Sequence, residues 1–219
     1  MAKSKSQTQH IPPPYKVVAP PPTRNNQGQL VFLDWPQFRP NLTPKEVLQM
    51  GSFGGTYFRP IYSSITRRRY GDEVWRELPE DWLEGLDIRT QVASETYNPK
   101  HNMYGVKSGG SLEMWEQSGW MRAQDPYGWF QWFCRFYQGR RSPDDERQVG
   151  RWVRCAGVKG RWRHNLVGKV VRKGAEFDDA SISPVVRQTL QHWGYRLNRE
   201  DFDSRVREVK RKGGEEEGR

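Results

Sequence analysis

Asp125-Pro126-Tyr127-Gly128-Trp129-Phe130-Gln131-Trp132-Phe133-Cys134-Arg135-Phe136-Tyr137-Gln138-Gly139 reads as a helix with both ends marked. Asp125 suits the N-cap, Pro126 the first helical position and Gly139 the stop. Between them Trp129, Trp132, Phe133, Phe136 and Tyr137 recur at i, i+3, i+4, i+7 and i+8, the apolar stripe of an amphipathic helix. A buried aromatic removes roughly 150–250 Å² from water, so this stripe is expected to build the core. Tyr127, Phe130, Arg135 and the following Arg140-Arg141 fall on the other side, free for a role beyond packing.

The chain around it needs such a centre. Of 219 residues only 34% are apolar but 13% are aromatic, with ten tryptophans. A mean hydropathy of −0.98 with 28% charged residues would predict disorder without those rings.

Similar punctuation continues downstream. Ser142-Pro143-Asp144-Asp145 opens a helix whose inner side is Val149, Trp152, Val153 and Ala156, and Gly157 ends it. The next runs from near Lys159 to Lys173 with Trp162, Leu166 and Val170 inward and Gly174 as its stop. Ser183-Pro184 opens another, with Val186, Leu190 and Trp193 inward and Gly194 closing. Upstream, Ser111 and Gly119 bracket a short helix. Thr43-Pro44-Lys45-Glu46 is a capping box, with Leu42 and Val47 as a hydrophobic staple and Gly51 as the stop. Residues 61–110 carry little regular pattern. Arg67-Arg68-Arg69 within them reads as a solvated run, or as a nuclear-import signal. The expected fold is mainly α, a compact helical domain with a Trp-rich core, an irregular loop-rich first half and disordered ends. Residues 1–29 form the proline-rich tail, 30–198 one globular domain, and 199–219 a charged tail that is helical or disordered.

No apolar run approaches the roughly 20 residues that cross a bilayer, and the amino terminus has no hydrophobic signal region. A cytoplasmic or nuclear protein with no membrane partner is expected. Cys134 and Cys155 read as buried, reduced thiols. No histidine pair sits at metal-binding spacing with a carboxylate or thiol partner, Asp144-Asp145-Glu146 resembles a metal-binding acidic cluster but is explained equally well by helix-start electrostatics, and no cofactor motif is present. Cys134 with His164 or His192 is the one conceivable nucleophile–base pair, without an activating motif.

The net charge is +10. Between Arg135 and Lys173 twelve Lys/Arg face three acids, whereas residues 199–219 balance seven against seven. Arg140, Arg141, Arg147, Arg151, Arg154, Lys159, Arg161 and Arg163 are therefore candidates to contact phosphate along a helical face. DNA or RNA is the expected partner. An arginine-rich solvated face that only confers solubility is the alternative. A helix-turn-helix over 142–173 is weakly signalled by the glycine-containing turn. A second functional class is an enzyme acting on an anionic or nucleotide-like substrate. Its pocket would gather Gly54, Gly55, Tyr57, Arg59, Tyr127 and Arg135, although the glycine loop lacks a Walker ending. A third is a scaffold recruiting acidic or proline-binding proteins through the basic surface and through Ile11-Pro12-Pro13-Pro14 and Ala19-Pro20-Pro21-Pro22.

The string from Asp125 to Arg141, with Gly54-Gly55-Thr56-Tyr57-Phe58-Arg59, Lys159-Gly160-Arg161-Trp162 and Arg187-Gln188-Thr189-Leu190-Gln191-His192-Trp193, resembles a family found in fungi, plants and some bacteria. The resemblance covers about Thr43 to Trp193. It implies a single folded unit and, because the family has no established activity, transfers no catalytic residue.

Overall fold

Thr43 starts the first helix, α1 (Pro44–Gln49), by the reciprocal bonds expected of it. Its Oγ1 accepts from the Glu46 amide at 3.1 Å, and the Glu46 carboxylate accepts from the Thr43 amide at 2.6 Å. Leu42 and Val47 are both buried beside it. This computed structural model describes residues 15–71 and 73–216, with side chains through residue 208. The first half holds little regular structure beyond α1. Two antiparallel ladders pair β1 (Thr23–Arg24) with β2 (Leu30–Val31) and β3 (Ile61–Ser63) with β4 (Arg68–Tyr70), and short 3-10 and π turns make up much of the chain that follows them. The helices α2 (Leu112–Gln117), α3 (Trp129–Tyr137), α4 (Asp145–Cys155), α5 (Arg161–Lys173), α6 (Pro184–His192) and α7 (Arg199–Glu216) follow, so the chain is mostly helical. Gly174 ends α5 in the left-handed region, as read from its position.

The central helix departs from expectation in two ways. First, Asp125 does not cap it. α3 begins after Gly128, at φ +85, and its first free amides, those of Phe130 and Gln131, donate to the Tyr57 hydroxyl at 2.9 and 3.0 Å. That hydroxyl donates in turn to the Tyr127 carbonyl at 2.6 Å. A tyrosine 73 residues away supplies the acceptor that a local cap would have supplied. Second, α3 has no solvent side: every residue from Phe130 to Phe136 is buried, including Arg135. The face left for function is covered by the turns of the first half, so the helix is an axle and not an amphipathic wall.

Its other neighbour is Phe38, from a stretch with no helical pattern. The Phe38 ring lies 5.6 Å from Trp132, 5.6 Å from Phe136 and 5.2 Å from Trp152, mostly edge to face. The tryptophans also serve as donors. Trp129 Nε1 reaches the His192 carbonyl at 3.2 Å and Trp152 Nε1 the Trp193 carbonyl at 2.8 Å, satisfying acceptors at the end of α6. Trp132 Nε1 donates to Asp145 at 2.8 Å, and Asp145 also accepts from the amide and hydroxyl of Ser142, which fixes the entry to α4. Val153, expected inward, is on the exposed side of α4.

Long-range closures tie the ends to this centre. The amides of Asn41 and Leu42 donate to the Gly194 carbonyl at 3.0 Å, and the Asn41 side chain bonds both backbone groups of Arg196. In the proline-rich segment, residues 1–14 and the first triproline lie outside the described residues. Residues 15–29 are docked, where a disordered tail was expected. The amides of Val18 and Ala19 share the Gly139 carbonyl, and Arg24 of β1 pairs with Glu46. Backbone pairing fixes this stretch where hydrophobic content alone predicts none. At the other end, Asp201 in the first turn of α7 pairs with Arg163 and accepts from the Tyr195 hydroxyl at 2.8 Å, holding α7 to α5.

Candidate nucleic-acid interface

The eight cations proposed as one phosphate-contacting face divide into two groups. Arg140 is 6% exposed, and its guanidinium clamps Asp125 through two bonds of 2.6 and 2.7 Å. Arg163 is likewise buried against Asp201. Arg141 pairs with Asp34 while lying 3.9 Å over the Phe136 ring, and Arg147 pairs with Asp144 one turn back. Arg151 lies over Trp120 and Trp193, and burial together with the neighbouring Arg147 pulls it down to about 10. These five do not form an open basic face, because the fold uses them as internal counter-charges and ring partners. Arg154, Lys159 and Arg161 remain exposed around the turn from α4 to α5.

The outward side of α5 extends that open group. Arg161, Asn165 and Arg172 fall within about 40° of one another at 100° per residue, with Lys169 beside them, opposite the buried Leu166, Val167 and Val170. Gly160 precedes the helix because a Cβ there would fall 2.5 Å from the Cys155 carbonyl oxygen, so the α4–α5 turn is tight. Among the described residues, none of Arg154, Lys159, Arg161, Lys169, Arg172 and Lys173 makes an ion pair. Arg161 instead lies over the ring of Trp162, 5.5 Å from its centroid.

The residues proposed as an enzyme pocket do meet, and they form a packed joint. A Cβ on Gly54 would fall 2.6 Å from the Tyr97 ring, and one on Gly55 would strike the Thr90 carbonyl. Both glycines stand at positive φ, so the loop serves close chain approach and not a phosphate cradle. The Gly54 amide is already taken by Asn102 at 2.7 Å. Tyr57 caps α3, and the Tyr127 hydroxyl donates to the Arg59 carbonyl at 2.8 Å. Arg135 is held by Glu77 through bonds of 3.0 and 2.7 Å and reaches Asp125 at 3.1 Å. Tyr15 covers this charged group, its ring 5.6 Å from the Arg135 guanidinium and 5.9 Å from that of Arg140. Glu77 and Tyr15 are partners that the sequence did not signal.

The thiol–imidazole reading fails on electrostatics. Burial pushes the Cys134 thiol well above its ordinary range and Cys155 up to about 12. Burial alone pulls His192 down to about 3; its Nε2 accepts from the Phe53 amide at 2.9 Å, and its ring stacks on Phe53. The residue is a neutral strut for the glycine loop. Among the described residues no group of three or more His, Cys, Asp or Glu is placed to hold a metal, and no helix is long and apolar enough to cross a membrane.

Two clefts open elsewhere. One is a groove of about 650 Å³ along the outer side of α4, bordered by Gln37, Pro143, Glu146 and Arg154. The other, of about 610 Å³, lies between the β1–β2 turn, Tyr104 and the start of α7. Neither is lined by the six residues of the expected pocket. Comparison with known proteins finds no matching family model, curated protein or solved structure.

Proposed function

We propose that the protein associates with nucleic acid through the α4–α5 turn and the outward side of α5, with Arg154, Lys159, Arg161, Lys169, Arg172 and Lys173 as phosphate contacts. The observation that carries this reading is their lack of intramolecular counter-charges, while the arginines turned inward nearly all have theirs. Unpaired cations along one helix attract a polyanion without first breaking an internal pair. From Arg161 to Arg172 the helix rises about 16 Å, long enough to lie beside several phosphates of a strand.

Fluorescence anisotropy with labelled single-stranded RNA and duplex DNA tests this. Affinity is expected to fall steeply with salt, with a logarithmic slope of about −0.9 per phosphate neutralised for duplex and about −0.7 for single strands. The triple variant Lys159→Glu/Arg161→Glu/Arg172→Glu should bind at least about tenfold more weakly and with a shallower slope. Arg67→Glu/Arg68→Glu, on the exposed β4 side, should bind as the parent does. Absence of binding at low salt, or equal losses in both variants, overturns the proposal.

A further inference from the structure

Four arginines of the described chain are buried: Arg135, Arg140, Arg163 and Arg187. The first three each hold a carboxylate. Arg187, at 4% exposed the most deeply buried, holds none; among the described residues no carboxylate lies within ion-pairing distance. Its Nε and Nη2 donate to the Ile182 and Phe177 carbonyls at 3.0 and 2.8 Å, and the Tyr104 phenol lies beside it. Carbonyls fix the orientation of a guanidinium without neutralising it, and Asp178 and Asp179 act on Arg187 only from beyond ion-pairing distance. Burying such a charge is unfavourable by several kcal/mol unless a counter-ion arrives.

The place it occupies suggests what that counter-ion is. Arg187 lines the 610 Å³ cleft, a volume within the range of small-molecule sites. Arg196 lines the same cleft and makes no ion pair among the described residues; with Arg187 it acts on the Tyr104 phenol against the upward push of burial. Three donors, Arg187, Arg196 and Tyr104, therefore line one cleft. The remaining lining cations do not compete for a ligand, since Arg24 is held by Glu46 and Arg199 by Glu176. Asp178 is the one unpaired carboxylate of the lining, which leaves the cleft net positive. Leu42, Met50, Met103 and Leu197 give the same cleft an apolar part.

We infer that this cleft is a binding site for a small amphipathic oxyanion, whose carboxylate or phosphate pairs with Arg187 and Arg196 while its apolar body lies against Leu42, Met50 and Leu197. Guanidinium forks and a phenol hydroxyl match the planar or tetrahedral oxygens of such a group. The site is separate from the basic side of α5, so either can be lost without the other.

Titration calorimetry on the full chain at low ionic strength, with phenyl phosphate, benzoate and inorganic phosphate as probes, tests the inference. Saturable binding of phenyl phosphate or benzoate is expected, tighter than inorganic phosphate by at least about fivefold. Whichever aromatic probe binds better identifies the oxyanion. Arg196→Gln, an exposed change that leaves the core intact, should weaken binding at least about tenfold. Arg187→Lys, which keeps the charge but loses the fork, should weaken it similarly. Lys159→Glu/Arg161→Glu/Arg172→Glu should leave it unchanged, which separates this site from the nucleic-acid surface. The inference is overturned by no saturable binding of either aromatic probe, by equal affinity for inorganic phosphate, or by full affinity in Arg196→Gln.

Discussion

The hydroxyl of Tyr57 and the backbone amide of Phe130 are 2.9 Å apart, so the central helix takes its N-terminal acceptor from a side chain on a separate loop. The same oxygen accepts from Gln131 and donates to Tyr127, so one buried atom satisfies three backbone groups. Tyr57→Phe keeps the ring and leaves all three without a partner. The expected loss is about 1–3 kcal/mol. It should be read in urea as a lower midpoint with an unchanged slope, and an unchanged midpoint would contradict the capping role.

Arg140 and Asp125 form the best-enclosed ion pair among the described residues, with Asp125 at 1% exposure. Arg140→Ala strands a carboxylate that keeps only its longer bond to Arg135 and a bond from Gln124, and should destabilise by about 3–5 kcal/mol. Asp34→Ala breaks the half-exposed pair with Arg141 and should stay within about 1 kcal/mol. Thermal unfolding of the two variants side by side checks the ranking.

His192 makes stability depend on acid. Its folded-state pKa, about 3, lies below the unfolded value of about 6.5. Between these the unfolded chain binds a proton that the folded chain refuses, so this contribution is complete above about pH 6.5 and declines as pH falls toward 3. Urea midpoints between pH 7.5 and 5 should drop, and His192→Gln should flatten that dependence. A variant with the parent's slope would assign the acid sensitivity to other groups.

Gly139 holds the early segment in place. It stands at φ +94, and a Cβ there would run into the Ala19 carbonyl and lie 2.9 Å from the Val17 side chain. Gly139→Ala should lose roughly 1–2 kcal/mol from the backbone conformation alone and release residues 16–19. Tryptic cleavage after the exposed Lys16 should speed up while the core stays resistant.

What could be read from residue order was what residue order itself builds. The Thr43–Glu46 box and the Gly174 stop depend on neighbours three or four positions away, and both formed as read. The aromatic richness of the 125–139 string likewise announced a core. Its directionality was misread because cover came from Phe38, Tyr57 and Glu77, none of which shares a periodic segment with α3. The arginines show the same limit. Spacing placed Arg140 and Arg163 among solvated cations, and only the tertiary arrangement brings Asp125 and Asp201 to them. Asp125 resembled a cap because Asp-Pro is a common helix opening; nothing local distinguishes that use from a buried counter-ion. Arg187 carried no mark at all, since a missing carboxylate is visible only once every neighbour is placed.

The bond between Asn41 and Arg196 also sets a schedule. These residues are 155 positions apart. At about 5–20 residues per second, Asn41 is added to the chain roughly 8–30 s before its partner exists. Until α3 has been made, past the midpoint of that interval, Leu42 and Phe38, both enclosed in the finished protein, have no aromatic helix to cover them, and the Gly194 carbonyl that accepts from the Leu42 amide comes only at its end. The nascent chain therefore carries these apolar residues without their partners for more than half of that interval, and a holdase that shields residues 30–58 during that time should raise the yield of folded protein without touching its final stability.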